Sequence, residues 1–252
     1  MFRGKRRRFT SVLFLVVLAG LLGSAPAAPA ITLLPPSVEA IFSDRLSPDK
    51  LPAHGRAPVT LNLTETIRKE DGSHPPPLQE LDLDLDRHLG LSVKGLPRCG
   101  PHSTRQQREE AISRCEDAKV GSGTLGVEVA FPDQVPIEIS GHVSVYNFGL
   151  HDGRTRFLLY TYLHAPVTGV ISAPLEFRRR AHGVFGWEGV LRMPKIANGA
   201  GSVTFLGLGF RRGIFSAGCP RGKLWSRAGA LFMDGTVVAG SLFQRCRTVA
   251  SG

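Results

Sequence analysis

Little in this sequence points to catalysis. Its four cysteines are never spaced Cys-x-x-Cys, and its eight histidines are never spaced His-x-x-x-His, which leaves no common zinc pattern. Gly-x-Ser-x-Gly is absent, and with it the strained strand-to-helix elbow that presents a serine nucleophile in many hydrolases. No apolar run reaches the ~20 residues a membrane helix needs; the longest is Val12 to Leu22. Acid is short of base, 21 residues against 31, for a net charge of +10. Aromatic side chains are not interleaved with the arginines as a single-stranded nucleic-acid groove requires, so no nucleic-acid partner is expected. There is no internal repeat.

The first thirty residues account for much of the charge. Arg3, Lys5, Arg6, Arg7 and Arg8 precede the apolar stretch Val12–Leu22, and the small residues Ser24 to Ala30 follow it. That order is a secretory signal, with cleavage expected after Ala30. Arg6-Arg7-Arg8-Phe9 also fits the twin-arginine export pattern in part, and an uncleaved membrane anchor is the rival reading. Removing these five charges from +10 leaves +5, a moderate excess. The expected organisation is a signal peptide over 1–30, a Pro-rich spacer over 31–57 and one β-rich domain over 58–250. The chain is expected to be secreted or held at the cell envelope.

In an exported chain an even number of cysteines implies disulfides. Cys99 with Cys115 and Cys219 with Cys246 each bracket one local unit, so these two pairings are expected. The second pair closes the base of a hairpin. Asp234-Gly235 lies between two apolar runs, and a two-residue turn there pairs Phe232 with Val237, Leu231 with Val238 and Ala230 with Ala239.

Strands dominate the rest. Val59–Ile67 alternates, with apolar residues at 59, 61, 63 and 67. Leu78–Leu85 alternates leucines with acids. Further strands are expected over 125–131, 137–148, 155–163, 168–177, 184–193, 203–211, 224–232 and 236–244. One short polar helix is expected over 105–115, capped by Ser103 or Thr104. Many short strands with a single helix predict an all-β fold, an antiparallel sandwich or a barrel.

Six segments carry a resemblance: Gly95-Leu-Pro-Arg-Cys99, Arg114-Cys115-Glu-Asp-Ala-Lys-Val-Gly-Ser-Gly123, Val145-Tyr-Asn-Phe-Gly149, Gly183-Val-Phe-Gly186, Met193-Pro-Lys-Ile196 and Ala217-Gly-Cys-Pro-Arg-Gly222. In this order they resemble a group of exported, cysteine-paired proteins of high-GC Gram-positive bacteria, over about residues 58–247. The resemblance implies export and paired cysteines, and no activity.

Three groups of side chains are candidates for function. Asp82, Asp84 and Asp86 form an acidic row that suggests calcium, but alternate residues on a strand stand roughly 6.5–7 Å apart, and the glycine and glutamate of a calcium loop are missing. The alternative is a solvated strand face opposite arginines. Among the histidines, His151-Asp152-Gly153 reads as a hairpin turn, and Ser202 as a strand entry. Arg178, Arg179, Arg180, Arg211 and Arg212 end predicted strands and form the best binding candidate, a basic rim for an anionic envelope polymer or lipid head groups. No cofactor is expected. The expected function is therefore a binding or structural module of the envelope; the alternatives are a secreted hydrolase or isomerase with a site dispersed over several strands, and a small barrel holding an apolar ligand.

Overall fold

The computed structural model describes residues 37–100, 115–164, 166 and 168–249. The strands are β1 (Val38–Ser47), β2 (Lys50–Pro52), β3 (Ala57–Lys69), β4 (Leu78–Asp86), β5 (Leu89–Leu91), β6 (Lys119–Val129), β7 (Ile137–His151), β8 (Arg154–Leu163), β9 (Gly169–Arg179), β10 (Phe185–Arg192), β11 (Gly201–Ala217), β12 (Lys223–Phe232), β13 (Val237–Arg245) and β14 (Arg247–Val249). The described helical turns are the 3₁₀ segments Glu116–Ala118 and Ala197–Gly199. The expected signal segment and nearly all of the expected 105–115 helix lie outside the described residues.

The fold is all-β. Twelve strands form one antiparallel sheet in the order β1-β3-β11-β6-β7-β8-β9-β10-β4-β12-β13, with β5 paired to β11. The sheet curls until its edge strands β1 and β13 approach, so it is a nearly closed barrel. Five consecutive strands, β6 to β10, form a meander, while β4 inserts between β10 and β12. β1 and β2 occupy much of the segment expected as a spacer. Ala40, Phe42 and Leu46 on β1 alternate toward the interior, and proline at the flanks hides that period.

Inward residues fill the barrel. Val59, Leu61, Leu63 and Ile67 of β3 face Leu206, Leu208 and Phe210 of β11 in one continuous apolar core. Near one end Phe157, Phe177, Phe210 and Phe215 pack edge-on or tilted, with ring centroids 5.1–6.1 Å apart. Sheet curvature needs close backbone approach: a Cβ on Gly123 would stand 1.8 Å from the Gly207 carbonyl oxygen, so β6 crosses β11 there without a side chain.

Both disulfides form as expected. Cys99–Cys115 has its Cα atoms 5.1 Å apart, and Cys219–Cys246 6.2 Å. The first packs with Ala118 against Tyr146 and Tyr160 on the outer face of β7 and β8. The hairpin between β12 and β13 departs from expectation by one residue: Leu231 pairs with Val237 and Ala230 with Val238. Phe232 N–H donates to the Thr236 carbonyl and Gly235 N–H to the Phe232 carbonyl, and only Gly235 (φ 88°) takes a positive φ. The loop is thus three residues ending on a left-handed glycine rather than a two-residue turn, and the extra residue shifts the register.

Candidate functional site

The register brings both parts of the expected basic rim to one end of the barrel, the end that also carries both disulfides. Arg178 and Arg179 finish β9 and Arg180 follows it, and Arg211 and Arg212 lie in the bulge of β11 between Phe210 and Phe215. The arginines then divide by strand alternation. Phe177 points inward, so Arg179 does too, while Arg178 and Arg180 face outward.

The outward pair is engaged. Arg227 of β12, Asp84 of β4, Glu188 of β10 and Arg178 of β9 stand directly opposite one another across four strands. Arg178 donates from Nε to Glu188 Oε2 at 3.0 Å, and Arg180 Nη2 reaches both Asp84 Oδ1 and Glu188 Oε1 at 3.1 Å. Arg227 donates to Asp84 from Nε at 2.8 Å and also from Nη2. Hydrogen bonds from Arg178 lead in holding the Glu188 carboxyl below its ordinary range. Asp86 accepts from the Trp225 N–H and contacts His88 Nδ1. Asp82 is exposed; desolvation first, and then the neighbouring acids, raise its carboxyl. Of the acidic row, Asp84 is the member that faces arginines among the described residues, as cross-strand ion pairs do. Among the described residues no three acids, histidines or cysteines gather as a metal site. Arg212 Nε donates to the Pro58 carbonyl, and Arg211 and Arg212 lie outside the cleft described next.

Arg179 opens into a cleft of about 940 Å³. Its other wall is a strap, residues 89–99, that leaves β11 and crosses the end of the barrel to β7. The strap is fixed at both ends. Leu89 and Gly90 pair with Ala217 and Ser216, and Ser92 N–H donates to the Ile214 carbonyl. Cys99 N–H donates to the Asn147 carbonyl at 2.8 Å, and the buried Asn147 amide donates to the Pro97 carbonyl, also at 2.8 Å. Trp187 Nε1 donates to the Leu89 carbonyl and so holds its ring against the strap. Lys94, Arg98 and Arg179 line the cleft with Leu91, Val93, Leu96, Leu150 and Trp187, and among the described residues no acid is in the wall. Among the described residues these three cations have no ion pair. Below Thr155 and Arg179 the next inward residues are Phe157 and Phe177, so phenylalanine closes the floor.

At the opposite end lies a constellation that sequence reasoning passed over. Glu128 of β6 and Ser202 of β11 are direct cross-strand partners, and the loop after β3 lays His74 over them. His74 Nδ1 lies 2.5 Å from Glu128 Oε1, and His74 Nε2 lies 3.0 Å from Ser202 Oγ. These are triad distances. Ser202 is fully buried, however, and its hydroxyl donates to the Pro75 carbonyl at 2.5 Å, which ties the loop down. The three residues are 54 and 74 positions apart in sequence, and only the register of β6 on β11 joins them. One Ser-x-x-Lys spacing, Ser47-Pro48-Asp49-Lys50, falls on the turn into β2 with both end residues exposed.

His151 lies beside Asp152 on the exposed β7–β8 turn, where Asp152 takes φ 50°, as a hairpin requires. The paired cysteines fit an oxidising compartment, and no described helix is long and apolar enough to cross a membrane. Comparison of the chain with protein families, with curated proteins and with solved structures returned no match.

Proposed function

We propose that this protein is an exported binding module of the cell envelope whose ligand is an anionic amphiphile held in the cleft beneath the strap. The observation that carries this reading is the turn of Arg179 into a cleft that it shares with Lys94 and Arg98 and, among the described residues, with no acid. Three cations without an ion pair among the described residues recognise a phosphate or carboxylate head. Leu91, Val93, Leu96, Leu150 and the fixed Trp187 ring offer an apolar wall for the attached chain. The phenylalanine floor keeps that chain in the cleft and out of the barrel interior. The resemblance to exported, cysteine-paired proteins and the basic N-terminal segment support the location.

The test uses Trp187 as reporter. The chain has two tryptophans, so Trp225→Phe leaves one. Dodecyl phosphate below its micelle threshold should change Trp187 emission saturably, and binding should weaken as salt rises, since the screening length falls to ~8 Å at physiological ionic strength. Arg179→Ser should weaken binding at least tenfold and Arg178→Ser by less than twofold. Equal effects of the two changes would sink the proposal. Binding of inorganic polyphosphate without dodecyl phosphate would transfer the cleft to a wall polymer.

A second reading is favoured by the His74 contacts alone: a serine hydrolase with Ser202 as nucleophile, His74 as base and Glu128 orienting it. It requires the loop carrying Pro75 to move, because the serine proton is otherwise committed. A fluorophosphonate probe that labels Ser202 in the wild type and not in His74→Ala would establish it; an unlabelled wild type leaves the three residues as a loop anchor.

A further inference from the structure

The seam between β1 and β13 holds a side chain that none of the described residues satisfies. The two edges are not joined by a main-chain ladder. They are clipped near the disulfide end, where Leu46 N–H donates to Gln244 Oε1 at 2.8 Å and Gln244 Nε2 donates to the Leu46 carbonyl at 3.3 Å. One side-chain amide replaces the peptide group of a missing strand neighbour. Ser226 Oγ of β12, the strand next to β13, also donates to Asp44 Oδ2 of β1. Beyond these clips the edges separate into a slot of about 310 Å³. Its walls are small or apolar, with Ala228, Gly229, Ala239 and Gly240 on one side and Ala40 and Phe42 on the other. An inner cavity of about 50 Å³ continues it into the barrel.

Glu65 lines both spaces. It belongs to the inward row of β3, opposite Phe42 and Leu206, and is 5% exposed. No hydrogen bond or ion pair reaches it among the described residues. Asp44 is its diagonal neighbour on β1, roughly 7–8 Å away. The Asp44 Oδ1 is also buried without a partner. Among the described residues the remaining titratable residue around these spaces is Asp82 of β4, and neither space has a lysine, arginine or histidine in its wall. A native fold pairs nearly all its buried polar groups, so a carboxyl left alone at the mouth of an open slot marks the place of an absent partner.

We propose that the seam is a binding site for a small apolar amine, whose protonated nitrogen is received by the Glu65 carboxylate while its hydrocarbon part lies along the small residues of β12 and β13. Charge selects the class: the charged side chains lining these spaces among the described residues are the carboxyls Glu65 and Asp82, so the complement is a donor bearing positive charge. Narrow walls select an unbranched or planar body. This site is independent of the strap cleft, which lies at the end of the barrel and takes the opposite charge.

The experiment compares hexan-1-amine with hexan-1-ol on the full chain by calorimetry, and follows the Glu65 carboxyl by NMR with ¹³C-labelled glutamate. The amine should bind the wild type at least tenfold more tightly than the alcohol, and Glu65→Gln should remove that preference. Binding should also lower the Glu65 titration midpoint by one unit or more, since each tenfold preference for the ionised form is one unit. The amine–alcohol comparison on the wild type needs no variant, so misfolding of Glu65→Gln does not spoil the test. Equal affinities for amine and alcohol, or an unmoved midpoint, would overturn the proposal. So would a concentration-dependent dimer that buries Ile41 and excludes the amine, because the occupant would then be a second copy of the chain.

Discussion

Asp84 and Glu65 are buried alike, at 4% and 5% exposed, yet they occupy opposite situations. Asp84 lies on the outer face of β4 between Arg227 and Arg180, and each of its oxygens has a guanidinium partner. Glu65 lies on the inner face of β3 among leucines with none. Burial without a partner raises the Glu65 carboxyl to about 7. The lesson is that burial alone does not decide the state of a charge; the neighbours across the strand do. Asp44 stands between the two cases. Burial raises it, and its bond from Ser226 opposes the rise in part.

The sharpest way to break the contrast is to make Asp84 resemble Glu65. The double change Arg180→Ala and Arg227→Ala strips a buried carboxylate of both partners and should cost about 3 kcal/mol of unfolding free energy by urea denaturation. A loss below about 1 kcal/mol would mean that water already serves Asp84.

A smaller effect should follow pH. Glu65 has a folded value near 7 against an ordinary 4.5, so the folded state holds its proton more tightly. That contribution to stability is whole below about pH 4.5, falls as pH rises and is gone above about 7. The wild type should therefore lose roughly 2–3 kcal/mol relative to Glu65→Gln between those values. A constant difference between the two proteins across this window would show that Glu65 keeps its ordinary titration.

The smallest effect belongs to the exposed ladder. Arg178 is more than half exposed, and its pair with Glu188 should be worth under about 1 kcal/mol, so Arg178→Ser should barely move the midpoint of unfolding. A larger loss would show that Arg227, Asp84, Arg180, Glu188 and Arg178 act as one coupled network rather than as separate pairs.

Much of this arrangement can be read along the chain once period two is carried through without exception. In β3 the apolar residues at 59, 61, 63 and 67 mark the inward row, and the missing member of the series is Glu65. A glutamate in an inward row is the signal for a buried acid. In the same way, Phe177 predicts that Arg179 turns inward and that Arg178 and Arg180 do not, so alternation divides the expected rim. β1 was concealed because its inward row includes Asp44 and its flanks carry proline. The slip at Asp234-Gly235 arose because the same dipeptide serves two-residue and three-residue loops, and the choice rests on whether Asp234 takes a positive φ.

What the sequence determined by itself is local. Alternation set the strands, and the spacing of the cysteines about a strand and a hairpin set the two pairings, because both depend on residues near one another in the chain. Tertiary structure alone decided the rest. Pairing of β3 with β11, insertion of β4 between β10 and β12, and the approach of β1 to β13 join segments more than a hundred residues apart, and no local period encodes such neighbours. Each candidate site depends on those junctions. The strap cleft needs β5 on β11, the His74 contacts need β6 on β11, and Glu65 stands at an opening only because the last pair of strands meets at its clips and not along its length.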